Sequence, residues 1–156
     1  MIARRVNQLE VLSCEPKERR HAAPLLFVHG AFAGAWVWDE HFLPWFAAQG
    51  FSAHALSLRG HGGSAGHERI DWYSIHDYVE DVAEVIADLA AAPVLIGHSM
   101  GGFVVQKYLE RHSVPAAVLM CSVPPQGLVA AQFSLLFEKP GLMMEINRLL
   151  GGGDVA

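Results

Sequence analysis

The chain has 156 residues, a formal net charge of −5 and a hydrophobic content of 52%. A chain of about 150 residues buries roughly 70% of the surface that its unfolded form exposes, so we expect one domain with a substantial core. The negative charge and the lack of a basic stripe exclude nucleic acid as a partner, and no run of 18 apolar residues predicts a membrane span.

The first third of the chain predicts two strands and a helix. Loose alternation of apolar residues predicts a strand at 6–13, and the continuous apolar run at 24–29 is typical of a strand buried on both faces of a parallel sheet. A loop of small residues follows at 30–34. Aromatic residues at helical spacing then predict a first helix, which Gly50 ends.

The middle of the chain continues the same alternation. Residues 51–58 predict a strand that ends in the glycine-rich turn 59–64. Asp77 is a suitable N-cap, with Glu80 three residues later, and an apolar stripe behind it predicts a helix over 78–89.

The next segments complete a pattern of strands separated by helices. Residues 93–97 predict a buried strand, residues 101–111 a helix and residues 114–121 another apolar strand. Such alternation implies right-handed crossovers, so we predict an α/β fold: a doubly wound, mostly parallel sheet with helices on both faces.

The character of the sequence changes after Pro125. Residues 128–150 are rich in leucine, phenylalanine and methionine and predict two short amphipathic helices. We therefore divide the chain into a core at 1–125 and a helical cap that starts at 126–156. An apolar cap favours an apolar substrate, although ordinary helix packing explains the composition equally well.

No cofactor or metal is predicted. Cys14 and Cys121 lie in different segments and match no zinc or disulfide spacing, and His67 is followed by Asp71 where a metalloprotease motif requires a second histidine. Neither a dinucleotide-binding nor a P-loop glycine pattern is complete. The first ten residues lack the apolar stretch of a signal peptide, so we expect a cytoplasmic location.

The strongest motif of the chain is the G-x-S-x-G pentapeptide from Gly97 to Gly101. It follows an apolar strand and opens a helix, which is the setting in which Ser99 is lifted clear of the sheet as a nucleophile. Small residues at both glycine positions fit the steric crowding of such a turn.

Three further segments, taken with this pentapeptide, make the chain resemble the N-terminal part of an α/β-hydrolase. The segment 28–31 (VHGA) looks like the oxyanion loop of that family, and 33–38 (AGAWVW) resembles its methylesterase and hydroxynitrile lyase branch. The segment 58–64 (LRGHGGS) is similar to the turn that follows a central strand of the fold. The four segments occur in the order of the family.

The resemblance implies a role for each matching residue. Ser99 would be the nucleophile, the backbone N–H groups of Met100 and Ala31 would form the oxyanion hole, and Phe32 is the alternative to Ala31. Supporting positions around the elbow and the loop are His29, Gly30, Gly97, His98 and Gly101. Strand alternation predicts that His98 points away from Ser99.

The family places its catalytic acid and histidine after Ser99, beyond further strands, and neither is recognisable among the 57 residues that follow. We expect a sheet truncated before its last strands, with residues 114–121 as an open apolar edge. The chain is a portion of a longer enzyme, a natural truncation without catalysis, or a protein whose sheet a C-terminal half or second chain completes.

The function implied for the complete enzyme is hydrolysis of a small carboxylic ester through an acyl-serine. Serine at position 99 disfavours the branches that use aspartate there, the haloalkane dehalogenases and epoxide hydrolases. Two alternatives stay open: a lyase or perhydrolase of the same fold, and a non-catalytic binding or interaction protein that keeps the pocket without the triad.

Overall fold

A computed structural model describes residues 1–127 and, beyond them, the helical residues Gly141, Leu142, Met144, Glu145 and Arg148. Its centre is a six-stranded sheet. The strands in chain order are β1 (Ile2–Val6), β2 (Leu9–Cys14), β3 (Leu25–Val28), β4 (Ala53–Leu56), β5 (Val94–His98) and β6 (Ala117–Met120). The predicted helices of 128–150 otherwise lie outside the described residues.

The order of the strands across the sheet is β1-β2-β4-β3-β5-β6. The pairs β4–β3, β3–β5 and β5–β6 are parallel, whereas the N-terminal hairpin β1–β2 pairs antiparallel to β4. The predicted α/β fold with a mostly parallel sheet is confirmed. Because β3, β4 and β5 run parallel at the centre, the loops that leave their carboxyl ends gather at one edge of the sheet.

Three α-helices connect the strands: α1 (Phe42–Ala48), α2 (Ile75–Asp88) and α3 (Met100–Leu109). Short 3₁₀ helices at Ala35–Trp38 and His67–Trp72 precede α1 and α2. The helix α1 begins later than the aromatic pattern suggests, because Trp38 belongs to the first 3₁₀ helix.

The two faces of the sheet carry separate apolar cores, as a doubly wound sheet requires. Alternate residues of β3 divide between them: Leu26 and Val28 pack with α2 and α3, while Leu25 and Phe27 pack with α1. All four side chains are buried, which explains why this strand reads as a continuous apolar run.

Two predicted boundaries are wrong. The strand predicted at 6–13 is a hairpin of β1 and β2, which turns at Asn7 with a φ of 49°. Sequence alternation missed β1 because its residues are largely exposed at the edge of the sheet. The N-cap of α2 is Ser74 rather than Asp77, and Asp77 completes a reciprocal capping box with Ser74.

The chain divides into two compact units, Met1–Val123 and Pro124–Ala156. In the first unit, β6 pairs with β5 on one side, and Val118 and Leu119 are 48% and 45% exposed. The cap predicted for 126–156 stays a prediction. Among the described residues, no helix is long and apolar enough to cross a membrane.

Candidate functional site

Ser99 occupies the turn between β5 and α3, where the backbone is strained. Its φ of 52° and ψ of −116° lie in a region that residues with a side chain rarely adopt. Strain of this kind persists only where the surrounding structure enforces it, and such residues cluster at functional sites. The Ser99 side chain is half-buried, so the turn presents a serine at the carboxyl edge of the sheet.

The glycines on either side of Ser99 are required by close packing of the turn. A Cβ atom at Gly97 would lie 2.6 Å from the carbonyl oxygen of Gly101. A Cβ atom at Gly101 would lie 2.4 Å from the carbonyl oxygens of both Val28 and His29. The start of α3 therefore packs directly against the end of β3, from which the loop at 30–34 leaves.

The end of β6 and the segment after it also hold the backbone of Ser99. Its N–H donates to the carbonyl oxygen of Met120 at 3.0 Å, and its own carbonyl accepts from the N–H of Val123 at 3.1 Å. The side-chain amide of Gln106 on α3 donates to Ser122 Oγ at 2.6 Å and to the carbonyl of Val123 at 2.9 Å. The segment after β6 thus helps to fix the turn.

His29 anchors the start of the loop at 30–34. The N–H of Leu58 donates to His29 Nε2 at 3.0 Å, so Nδ1 carries the proton and donates to the carbonyl of Gly30 at 2.7 Å. The ring is fully buried, and burial lowers the pKa of His29 from 6.5 to about 4. His29 is therefore neutral at neutral pH, as the hydrogen bond that Nε2 accepts from Leu58 requires.

The loop itself brings its backbone close to Ser99. A Cβ atom at Gly30 would lie 3.1 Å from Ser99 Cβ and 3.2 Å from His98 Nδ1. Ala31 and Phe32 follow at exposed positions, and Phe32 is 88% exposed with a φ of 60°. Glycine at position 30 thus allows the loop to approach the nucleophile closely.

The His98 ring lies beside Gly30, as the Ser99 side chain does. That the His98 side chain points away from Ser99 stays a prediction. Within residues 1–127, no hydrogen bond joins a histidine to the Ser99 hydroxyl.

A partly buried ion pair supports the neighbouring turn at 59–64. The Arg59 Nε donates to Asp81 Oδ1 at 2.7 Å, and the Arg59 backbone N–H donates to Asp81 Oδ2 at 2.8 Å. Burial raises the pKa of the Asp81 carboxyl, and the hydrogen bonds from Arg59 oppose that shift. Asp81 is 1% exposed, so the pair fixes the turn to α2.

Sequence reasoning missed several residues that shape this edge of the sheet: Glu10, Ser57, Asp81 and Gln106. Two sequence signals could have identified Asp81: it falls on the apolar stripe of α2, and Arg59 stands at the end of a predicted strand.

In the part of the chain that the structure describes, no cluster of three or more histidine, cysteine or acidic residues could hold a metal ion.

Comparison with known proteins identifies the class. The model of the alpha/beta hydrolase family matches residues 25–153. The chain therefore belongs to the alpha/beta hydrolase family, in agreement with its sheet and with the turn at Ser99.

Individual relatives carry several activities. The chain is 37% identical over 108 residues to a non-heme haloperoxidase of Rhodococcus erythropolis, a match that covers 65% of this chain and 38% of that protein. It is 32% identical over 145 residues to esterase PIR7B of Oryza sativa subsp. japonica, covering 82% and 53%.

A solved structure shares the fold of this chain. A probable hydrolytic enzyme from Pseudomonas aeruginosa superposes with a TM-score of 0.64 at 26% identity, covering 74% of this chain and 37% of that one. The chain thus spans about 40% of the length of the curated relatives that it matches first.

Proposed function

We propose that this chain carries the nucleophile and the oxyanion hole of a serine hydrolase that acts on a carboxylic ester. The observation that carries the proposal is the strained backbone of Ser99, whose φ is 52° within a turn too crowded for any residue but glycine at positions 97 and 101. A turn of this kind holds the serine side chain clear of the sheet and directs the following backbone N–H groups toward the position of the oxyanion.

In the proposed reaction, Ser99 Oγ forms a bond to the acyl carbon while a base takes its proton. The backbone N–H groups of Met100 and Ala31 stabilise the resulting oxyanion, with Phe32 as the alternative donor to Ala31. The alcohol leaves with that proton, and water then releases the acid and regenerates the serine. The base and its acid partner are proposed to come from a C-terminal half or a second chain, because no histidine is hydrogen-bonded to the Ser99 hydroxyl among residues 1–127.

Exposed apolar side chains at two positions support proposals about the substrate and about completion of the sheet. Phe32, next to the proposed oxyanion donor, is 88% exposed, which favours a small apolar ester as the substrate. The exposed Val118 and Leu119 of β6 favour completion of the sheet by a C-terminal half or a second chain. The segment 126–156 is proposed as the start of a helical cap.

The esterase relative supports ester hydrolysis as the first candidate. The haloperoxidase relative favours a second candidate, in which the same serine serves a perhydrolase reaction. Both candidates need a reactive Ser99, whereas a non-catalytic binding protein does not.

A fluorophosphonate probe, which labels an activated serine covalently, tests the proposal. It is applied to the chain by itself and to a longer polypeptide that contains the chain together with the later part of the fold. Labelling in either that disappears in Ser99→Ala supports the proposal. Labelling of neither polypeptide contradicts it and favours the binding protein.

A further inference from the structure

The loop at 30–34 is tied at both ends to the two residues that follow β4. Its start is held by His29, which accepts the N–H of Leu58. Its end is held by Ser57, whose Oγ accepts the N–H of Ala35 at 2.8 Å. The position of the loop backbone, and of the proposed oxyanion donor in it, therefore depends on Ser57 as well as on His29.

Ser57 accepts this hydrogen bond because a carboxylate orients its hydroxyl group. Ser57 Oγ donates to Glu10 Oε2 at 2.6 Å, so the hydroxyl proton is engaged and a lone pair faces Ala35. A hydrogen bond to an ionised acceptor is shorter and stronger than a neutral one. Glu10, which lies in β2, thus acts on the loop through one intervening side chain.

The same carboxylate also holds the turn at 59–64. Glu10 Oε2 accepts the N–H of Gly63 at 2.8 Å, while the Glu10 backbone N–H donates to Ser64 Oγ at 2.9 Å. One side chain therefore joins two loops that leave the sheet from β3 and β4.

Glycines allow the two loops to close around this side chain. A Cβ atom at Gly62 would lie 2.2 Å from Ser57 Oγ, and one at Gly63 would lie 2.4 Å from Glu10 Oε1. A Cβ atom at Gly34 would lie 2.9 Å from Gly62 Cα, so the loops also touch each other. This packing leaves little room for the Ser57 hydroxyl to adopt another orientation.

We propose that Glu10 and Ser57 are positioning residues for the reaction of Ser99. The inference rests on the proposed function, since it concerns the oxyanion loop of that reaction. Neither residue touches the substrate. Glu10 orients the Ser57 hydroxyl, Ser57 fixes the N–H of Ala35, and the loop in between places the amide of Ala31 or Phe32.

The variants Glu10→Ala, Ser57→Ala and the double variant test the proposal, and Glu10→Gln keeps an oxygen that can accept both hydrogen bonds. Glu18→Ala is the control, because Glu18 is an exposed acid that pairs with Arg20. Two readouts are needed: hydrogen exchange of the backbone amides in 30–36, and the rate at which the fluorophosphonate probe labels Ser99 in the polypeptides described above.

Glu10→Ala and Ser57→Ala should each speed amide exchange in 30–36 and slow labelling about 10- to 100-fold, because a small misplacement of a catalytic group is costly. The double variant should be no slower than the slower single variant, since both act through one hydrogen-bonded chain. Glu10→Gln should stay within about threefold of the original rate, as an acceptor is retained. With an ester substrate, kcat should fall more than KM changes, because the oxyanion exists only after attack.

Unchanged amide exchange in both single variants overturns the proposal, as does unchanged labelling of a reactive Ser99. Equal losses in Glu10→Ala and Glu10→Gln also overturn it, because they would show that the acceptor oxygen is not what matters. Faster exchange in 30–36 together with an unlabelled parent protein contradicts the proposed function but supports the tie between Glu10 and the loop. The two failures are thereby distinguished.

Discussion

Each end of the central parallel strands holds one serine of interest. The two serines differ in their backbone conformation and in their histidine contacts. At the edge where the central parallel strands begin, Ser13 Oγ lies 2.8 Å from His54 Nδ1, and His54 Nε2 lies 3.8 Å from Glu15 Oε1. At the edge where these strands end, Ser99 stands on a strained turn with no histidine bonded to its hydroxyl among residues 1–127.

The first arrangement has the residue types of a catalytic triad, but its serine and histidine have little exposed surface. Ser13 and His54 face each other across the antiparallel pair β2–β4, and both are buried. Burial lowers the pKa of His54, so the neutral ring and the serine hydroxyl satisfy each other. Contact between a serine and a histidine does not by itself predict a nucleophile. The proposal for Ser99 rests instead on its strained turn and on the partial exposure of its side chain.

The largest expected effect separates the two serines by their reactivity. In whichever polypeptide the fluorophosphonate probe labels, Ser99→Ala should abolish labelling, because the probe forms its covalent bond to the Ser99 Oγ that the substitution removes. Ser13→Ala should label at the original rate. Labelling that depends on Ser13 instead would reverse the comparison, and peptide mapping of the labelled protein identifies the site directly.

The packing of the Ser99 turn gives the next effect. Gly101→Ala should lower the free energy of unfolding by about 3 kcal/mol, because the added Cβ meets two backbone oxygens at 2.4 Å that have no freedom to rotate away. Gly141→Ala is the matched control, since a Cβ at that helical position meets nothing within 4 Å among the described residues. Urea titration measures both; a cost below about 1 kcal/mol for Gly101→Ala would show that the turn is loosely packed.

Acid should destabilise the protein through its buried histidines. The pKa of His29 is about 4 when folded and 6.5 when unfolded, so between these pH values only the unfolded chain binds the proton. The free energy of unfolding should therefore fall as pH drops through this window, by about 3 kcal/mol from His29. Above pH 6.5 the His29 ring is neutral in both states, so its contribution to the free energy of unfolding has its full value there.

His29→Gln should remove this part of the pH dependence, as measured by urea titration at several pH values. His54→Gln should act in the same direction at the other edge, because burial lowers the pKa of His54 too. His76→Gln, at an exposed position of α2, supplies the baseline for loss of an imidazole. If His29→Gln keeps the slope of the parent protein between pH 4 and 6.5, His29 is not the neutral anchor of the loop.

The smallest effect concerns the stability that the Ser13–His54 pair provides. Ser13→Ala leaves a buried ring nitrogen without its partner, which should cost about 1 to 2 kcal/mol in the free energy of unfolding. Thermal or urea unfolding measures this loss. A neutral result, together with unchanged labelling of Ser99, would mean that the pair contributes little to stability and nothing to reactivity.

The sequence predicted much of the sheet because its central strands are buried on both faces. Residues 24–29 and 93–97 are continuous apolar runs, and the structure places β3 and β5 there as neighbours in the sheet. Strand β1, and with it the hairpin turn to β2, was missed because an edge strand with two arginines shows no apolar periodicity. The N-cap of α2 was misplaced because Ser74 and Asp77 are both good capping residues, and the pattern alone does not choose between them.

Local sequence thus determined the strand–turn–helix at Ser99, since small residues at 97 and 101 and an apolar strand before them are short-range features. Only the tertiary structure decided what holds the site together. Glu10, His29 and Ser57 are far apart in the chain, and their hydrogen bonds exist because β2, β4 and β3 lie side by side. Contacts between distant residues leave no periodic trace in a sequence, so their roles become visible only once the sheet is assembled.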